Sequence, residues 1–97
     1  VETAIQAKGL TAPRITSADI TNKVTQEAYY QFPGTQFITC LLTLNNGFNV
    51  SGESACASPE NFDEEIGRAI AKRNAIGKIW ALEGYLLKEK LYVGVTH

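Results

Sequence analysis

Between Gln36 and Ser51 the chain reads as two apolar, β-branched and aromatic runs, Gln36 to Leu44 and Phe48 to Ser51, separated by Asn45-Asn46-Gly47. Asn-Gly accepts the positive φ that tight hairpin turns demand, so this spacing predicts an antiparallel hairpin. In its second strand Phe48 and Val50 alternate with Asn49 and Ser51, as expected of a sheet with one covered and one wet face; Gly52 should end or bulge that strand. Ahead of the hairpin, Ala28-Tyr29-Tyr30-Gln31-Phe32 predicts a first short strand stopped by Pro33-Gly34.

Elsewhere the period changes to that of helices. Thr16 or Ser17 is placed to cap a two-turn helix with Asp19 in its first turn and Ile15, Ile20 and Val24 facing a core. Ser58-Pro59-Glu60 predicts a helix start, with Phe62, Ile66, Ala69 and Ile70 as its apolar stripe and Glu60, Asp63, Glu64 and Glu65 complementing the positive helix end. Gly77 then marks a break or a close packing point. Ile79, Leu82 and Leu86, with Trp80, Leu87 and Leu91 alongside, predict a further helix to about Tyr92, folded back on the one before it as a helical hairpin. The expected fold is α+β: a small antiparallel β-sheet, built from a hairpin plus one strand, followed by a C-terminal helical hairpin. Residues 1–13 read as a flexible N-terminal arm and residues 14–97 as a single α+β domain.

Size and composition restrict what such a domain does. With 97 residues, 44% of them hydrophobic, the chain has material for one core, which excludes a two-lobed enzyme. A site is then expected on a surface groove or between subunits. A net charge of −1 argues against binding a nucleic-acid polymer through overall charge. No apolar run reaches the length of a membrane span, and VETAIQAKGL is unlike a signal peptide. The start at Val1 rather than Met implies a processed or trimmed chain. Cys40 and Cys56 read as two free thiols, which places the protein in a reducing cytoplasm.

Catalytic chemistry finds little support. Cys56 lacks a histidine to activate it, since His97 is the only one and terminal, so a packing role is favoured. One His and two distant Cys do not make a metal site, and no glycine-rich phosphate loop is present, so neither metal nor cofactor is expected. Charge is divided unevenly: Glu53 to Glu65 carries five acids and no base, whereas Ile66 to His97 carries six bases and two acids. Arg68, Lys72 and Arg73 lie within about a turn and a half of helix, a face fit either for a small anion or simply for solvent and local pairs such as Glu64 with Arg68. Phe62 and Asn74 have equally plain alternatives, a core position and a helix terminator. The broad apolar arc of the last helix needs more than one covering surface, which points to a homo-oligomer.

The stretch from Leu42 to Cys56, then Pro59-Glu60-Asn61-Phe62-Asp63-Glu64-Glu65-Ile66-Gly67-Arg68, then Asn74-Ala75 through Lys78-Ile79-Trp80 and Leu82-Glu83-Gly84-Tyr85-Leu86-Leu87, resembles a family of small tailed-phage proteins. That family looks related to the Thoeris anti-defence proteins, phage sponges with a small sheet followed by a helical hairpin. The resemblance implies non-catalytic capture of a cyclic ADP-ribose-type or cyclic oligonucleotide signal in the host bacterial cytoplasm, at sites between subunits. On the positions that match, Phe62 would be the base wall, Asn61 or Asn74 the polar contact, and Arg68, Arg73 and Lys90 the phosphate partners. The alternative expectation is a phage structural, assembly or protein-interaction factor acting through its helical hairpin and binding no nucleotide.

Overall fold

The computed structural model describes residues 14–95. The arm expected over residues 1–13, and His97, lie outside the described residues. Helix α1 spans Ser17–Lys23, strand β1 Val24–Gln31, β2 Phe37–Leu44 and β3 Asn49–Ala55; a 3-10 turn at Pro59–Asn61 precedes helix α2, Glu64–Val95. The architecture is α+β. The strands form one antiparallel sheet in the order β1-β2-β3, and α2 crosses one face of it.

Local chemistry accounts for the element ends. Thr16 and Asp19 cap α1 reciprocally: the Asp19 N–H donates to Thr16 Oγ1 at 3.1 Å, and the Thr16 N–H donates to Asp19 Oδ2 at 2.9 Å. These bonds hold the Asp19 carboxyl below its ordinary range. The β2-β3 hairpin turns through Asn45-Asn46-Gly47, with Gly47 at φ 89° and the Asn46 side chain accepting from the Phe48 N–H at 3.0 Å. β1 begins four residues before the expected start, directly from α1, because Val24 pairs with Leu44 across the sheet. β3 runs through Gly52 to Ala55 without ending there.

Gly52 explains how sheet and helix fit. It lies opposite Cys40 in the register, on the covered face, where an added Cβ would sit 2.2 Å from the Ala75 nitrogen and 2.3 Å from the Ala71 oxygen. The helix backbone therefore rests directly on the strand backbone. Ala71, Ala75 and Ile79 of α2 close the core against Ile20, Ile38, Cys40, Leu42, Leu44 and Val50, with no polar side chain among the buried residues described.

The C-terminal region departs from expectation. Where a helical hairpin was expected, α2 is one uninterrupted helix of 32 residues, about 48 Å long at 1.5 Å per residue. A glycine in a helix interior costs only about 1 kcal/mol against alanine, and Gly77 is flanked by helix-compatible residues, so it neither breaks the helix nor packs closely: nothing lies within 4 Å of its Cβ position. The start is also later than Pro59. Ser58 makes no side-chain cap, and Asp63 Oδ1 instead accepts from the Ile66 N–H at 3.1 Å.

The long helix outruns the sheet. Eight-residue strands extend about 26 Å, and the described residues have a radius of gyration of 17.0 Å, against about 12 Å for a compact chain of this length. Past Leu87 every residue with a described side chain is exposed. The sheet face away from α2 is also less polar than expected, for Tyr30, Phe32 and Phe37 stack edge to face there with centroids 4.8 and 5.5 Å apart.

Candidate functional site

The residues expected to form a ligand site divide into three places. Asn61 and Phe62 lie where the 3-10 turn delivers the chain to α2, and they line a cleft of about 180 Å³ with Ser54, Cys56, Ile66 and Ile70. The cleft exists because Gly67 removes a side chain at the contact: a Cβ there would meet Ile38 Cδ1 at 2.9 Å and Ser54 Oγ at 3.4 Å. Ser54 Oγ donates to the Gly67 carbonyl at 2.8 Å, which fixes β3 to the first turn of the helix. Phe62 is half-buried and packs against the core, so its packing role and its role as a wall coexist. The Cys56 thiol donates to the Ser58 carbonyl at 3.1 Å.

Asn74 stands on the same flank of the helix, and its Nδ2 donates to the Glu53 carbonyl at 2.8 Å. It is a helix-interior residue that ties α2 to strand β3, not a terminator. Arg73 is exposed on the outer side of α2.

Arg68 points to the opposite flank. It pairs with Glu64 at 2.9 Å, as the i,i+4 alternative anticipated, and its guanidinium carbon lies 5.3 Å from the centre of the Tyr29 ring. Beside it Lys72 pairs with Glu27 at 2.9 Å; this hydrogen-bonded contact holds the Glu27 carboxyl below its ordinary value of 4.5. Burial, followed by the neighbouring Cys40 and Glu27, pushes the Tyr29 hydroxyl up to about 12, and burial also raises the Cys40 thiol. Tyr29 escapes sequence reasoning because its closeness to Arg68 follows from the β1-β2 register, Tyr29 opposite Cys40, and no local spacing encodes it.

Lys90 belongs to neither place. It follows Arg73 by about 25 Å of helix and lines a crevice between α1, the hairpin turn and the far half of α2, together with Arg14, Asp19, Asn22, Asn45 and Glu83. Within one chain, then, Asn61, Phe62 and Asn74 share a flank, Arg68 lies on the opposite one, Arg73 is exposed on the outer side without lining the cleft, and Lys90 is remote.

Both cysteines are free, and no group of three or more metal-ligating side chains occurs among the described residues. No described helix is long and apolar enough to cross a membrane. Residues 15–91 match the model of the phage protein (N4 Gp49/phage Sf6 gene 66) family. No curated protein and no solved structure matches the chain.

Proposed function

The chain belongs to this phage protein family, and on that premise we propose that it is a phage anti-defence protein that captures a cyclic ADP-ribose-type or cyclic oligonucleotide signal without degrading it. The observation that carries the reading is an incomplete site. The Asn61-Phe62 cleft has an apolar wall and a polar edge, but at about 180 Å³ it is smaller than the roughly 300 to 1,000 Å³ of enclosed ligand pockets. The bases nearest in sequence, Arg68 and Arg73, do not line it within the chain.

A second copy supplies what is missing. The overhanging half of α2 leaves Trp80, Leu82, Leu86 and Leu91 exposed, with Tyr85 at 70% exposure and Tyr92 at 60%, a patch of the kind that marks interfaces. Closure of that patch by another protomer brings a second set of cations beside the cleft and makes a site at the seam. The same patch favours the other reading, a phage assembly or interaction factor that acts through the single long helix.

One experiment separates them. Purified protein is incubated with a panel of cyclic ADP-ribose isomers and cyclic oligonucleotides, then heat-denatured, and the supernatant assayed. Depletion followed by recovery of the intact compound is the expected result. Degraded compound makes the protein an enzyme, and absence of depletion favours the interaction factor. Phe62→Ala and Arg73→Ala are each expected to abolish capture while the protein stays folded by circular dichroism.

A further inference from the structure

The crevice that holds Lys90 has an electrostatic imbalance of its own. It measures about 280 Å³ and presents Arg14, Lys23 and Lys90 against Asp19 and Glu83, with Leu86 as an apolar wall. Both acids are already engaged. Asp19 accepts the Thr16 N–H in the capping box, and Glu83 pairs with Lys23 at 3.3 Å. Three cations against two acids leave the lining one positive charge over. Lys90 forms no ion pair among the described residues, and Arg14 Nε is buried without a hydrogen-bond partner.

A buried donor left unpaired costs about 1 to 3 kcal/mol, and this one belongs to a residue that lines a cleft of about 280 Å³. The surrounding residues include further polar ones. Asn22 and Asn45 bring amide groups from α1 and from the hairpin turn, while helical spacing sets Glu83, Leu86 and Lys90 on one face of α2. A planar guanidinium, an ammonium and two amides around a space of this size match the oxygens of a phosphate or diphosphate group, which needs several donors and a net positive surround.

We propose that the Arg14-Lys90 crevice binds the phosphate or diphosphate group of a small phosphorylated molecule. About 36 Å of helix separates Ile66 from Lys90, so the site is distinct from the Asn61-Phe62 cleft of the same chain and does not rest on the function proposed above.

The test uses inorganic pyrophosphate, titrated into the isotope-labelled full chain at constant ionic strength with chloride as the baseline anion. The expected result is a saturable shift of the Arg14 Nε–H and of the Asn22 and Asn45 side-chain amides. Arg14→Gln and Lys90→Gln should each weaken binding at least tenfold, with Lys78→Gln, at an exposed position outside both clefts, unchanged. Without pyrophosphate, Arg14→Gln should melt no lower than the parent, because it removes an unpaired buried group; a structural arginine would lower the melting temperature. Non-saturating shifts, shifts centred on Arg68 and Arg73, or full affinity in both crevice variants overturn the proposal. Pyrophosphate binding without capture of any cyclic nucleotide would leave this site standing and remove the sponge; the converse would do the reverse.

Discussion

The two halves of α2 carry opposite kinds of residue. The first half, Glu64 to Ile79, meets the sheet through Gly67, Ala71 and Ala75 and is stabilised by backbone approach, helped by Gly52 on the strand. The second half has large apolar side chains, and most of them face water. Small residues are placed where the helix backbone comes closest to the sheet, and most of the large exposed ones lie beyond it. The contrast shows that a helix with apolar residues on many sides need not bend back on itself.

Gly52→Ala should be the most damaging change to this arrangement. The new methyl would meet the backbone of Ala75 and Ala71, neither of which can rotate away, so a loss of about 3 kcal/mol or more is expected, read as a shift of the urea midpoint. Leu86→Glu addresses the other half. It should leave the secondary structure intact and lower the mass seen by light scattering to that of a single chain; an unchanged mass, or a monomeric parent protein, would detach the overhang from association.

Glycine substitution within the helix sharpens the comparison further. Gly84 has nothing within 4 Å of its Cβ position, so Gly84→Ala should stabilise by about 0.5 to 1 kcal/mol through helix propensity alone. Gly67→Ala gains the same propensity but must push Ile38 Cδ1 from 2.9 Å, and should therefore give less, or a loss. Equal gains at both positions in thermal melts would mean that the first half is looser than its contacts imply.

The smallest effect concerns pH. Glu27 is held below its ordinary value of 4.5 by Lys72, so its contribution is present above that value and is lost as pH falls through the depressed one. Both side chains are about two-fifths exposed, which limits the effect to under about 1 kcal/mol. Lys72→Gln should flatten the acid limb of stability against pH by that amount.

Much of this fold was legible because its signals are local. Asn45-Asn46-Gly47 announces the hairpin, and Thr16 with Asp19 announces α1; each works through bonds within a few residues. The helical hairpin was misread because a glycine was given the weight of a terminator, although only the absence of a capping geometry or a proline decides that question. For the candidate site, sequence adjacency brings Asn61 and Phe62 to one cleft. It does not place Lys90, whose distance from them depends on whether the helix turns back. Nor does it place Arg14, which meets the far half of α2 only once α1 is laid against it, a contact between segments almost seventy residues apart.

Asn74 has a consequence for how copies of this chain can meet. A strand at the border of a sheet offers a free row of donors and acceptors to any strand that drifts alongside, and this is the usual route to runaway pairing. Nδ2 of Asn74 already occupies the Glu53 carbonyl, so an intruding strand would have to break that bond and dislodge the helix above it. The border at β3 is in effect latched at Glu53, so of the two borders of the sheet it is β1 that lacks this guard.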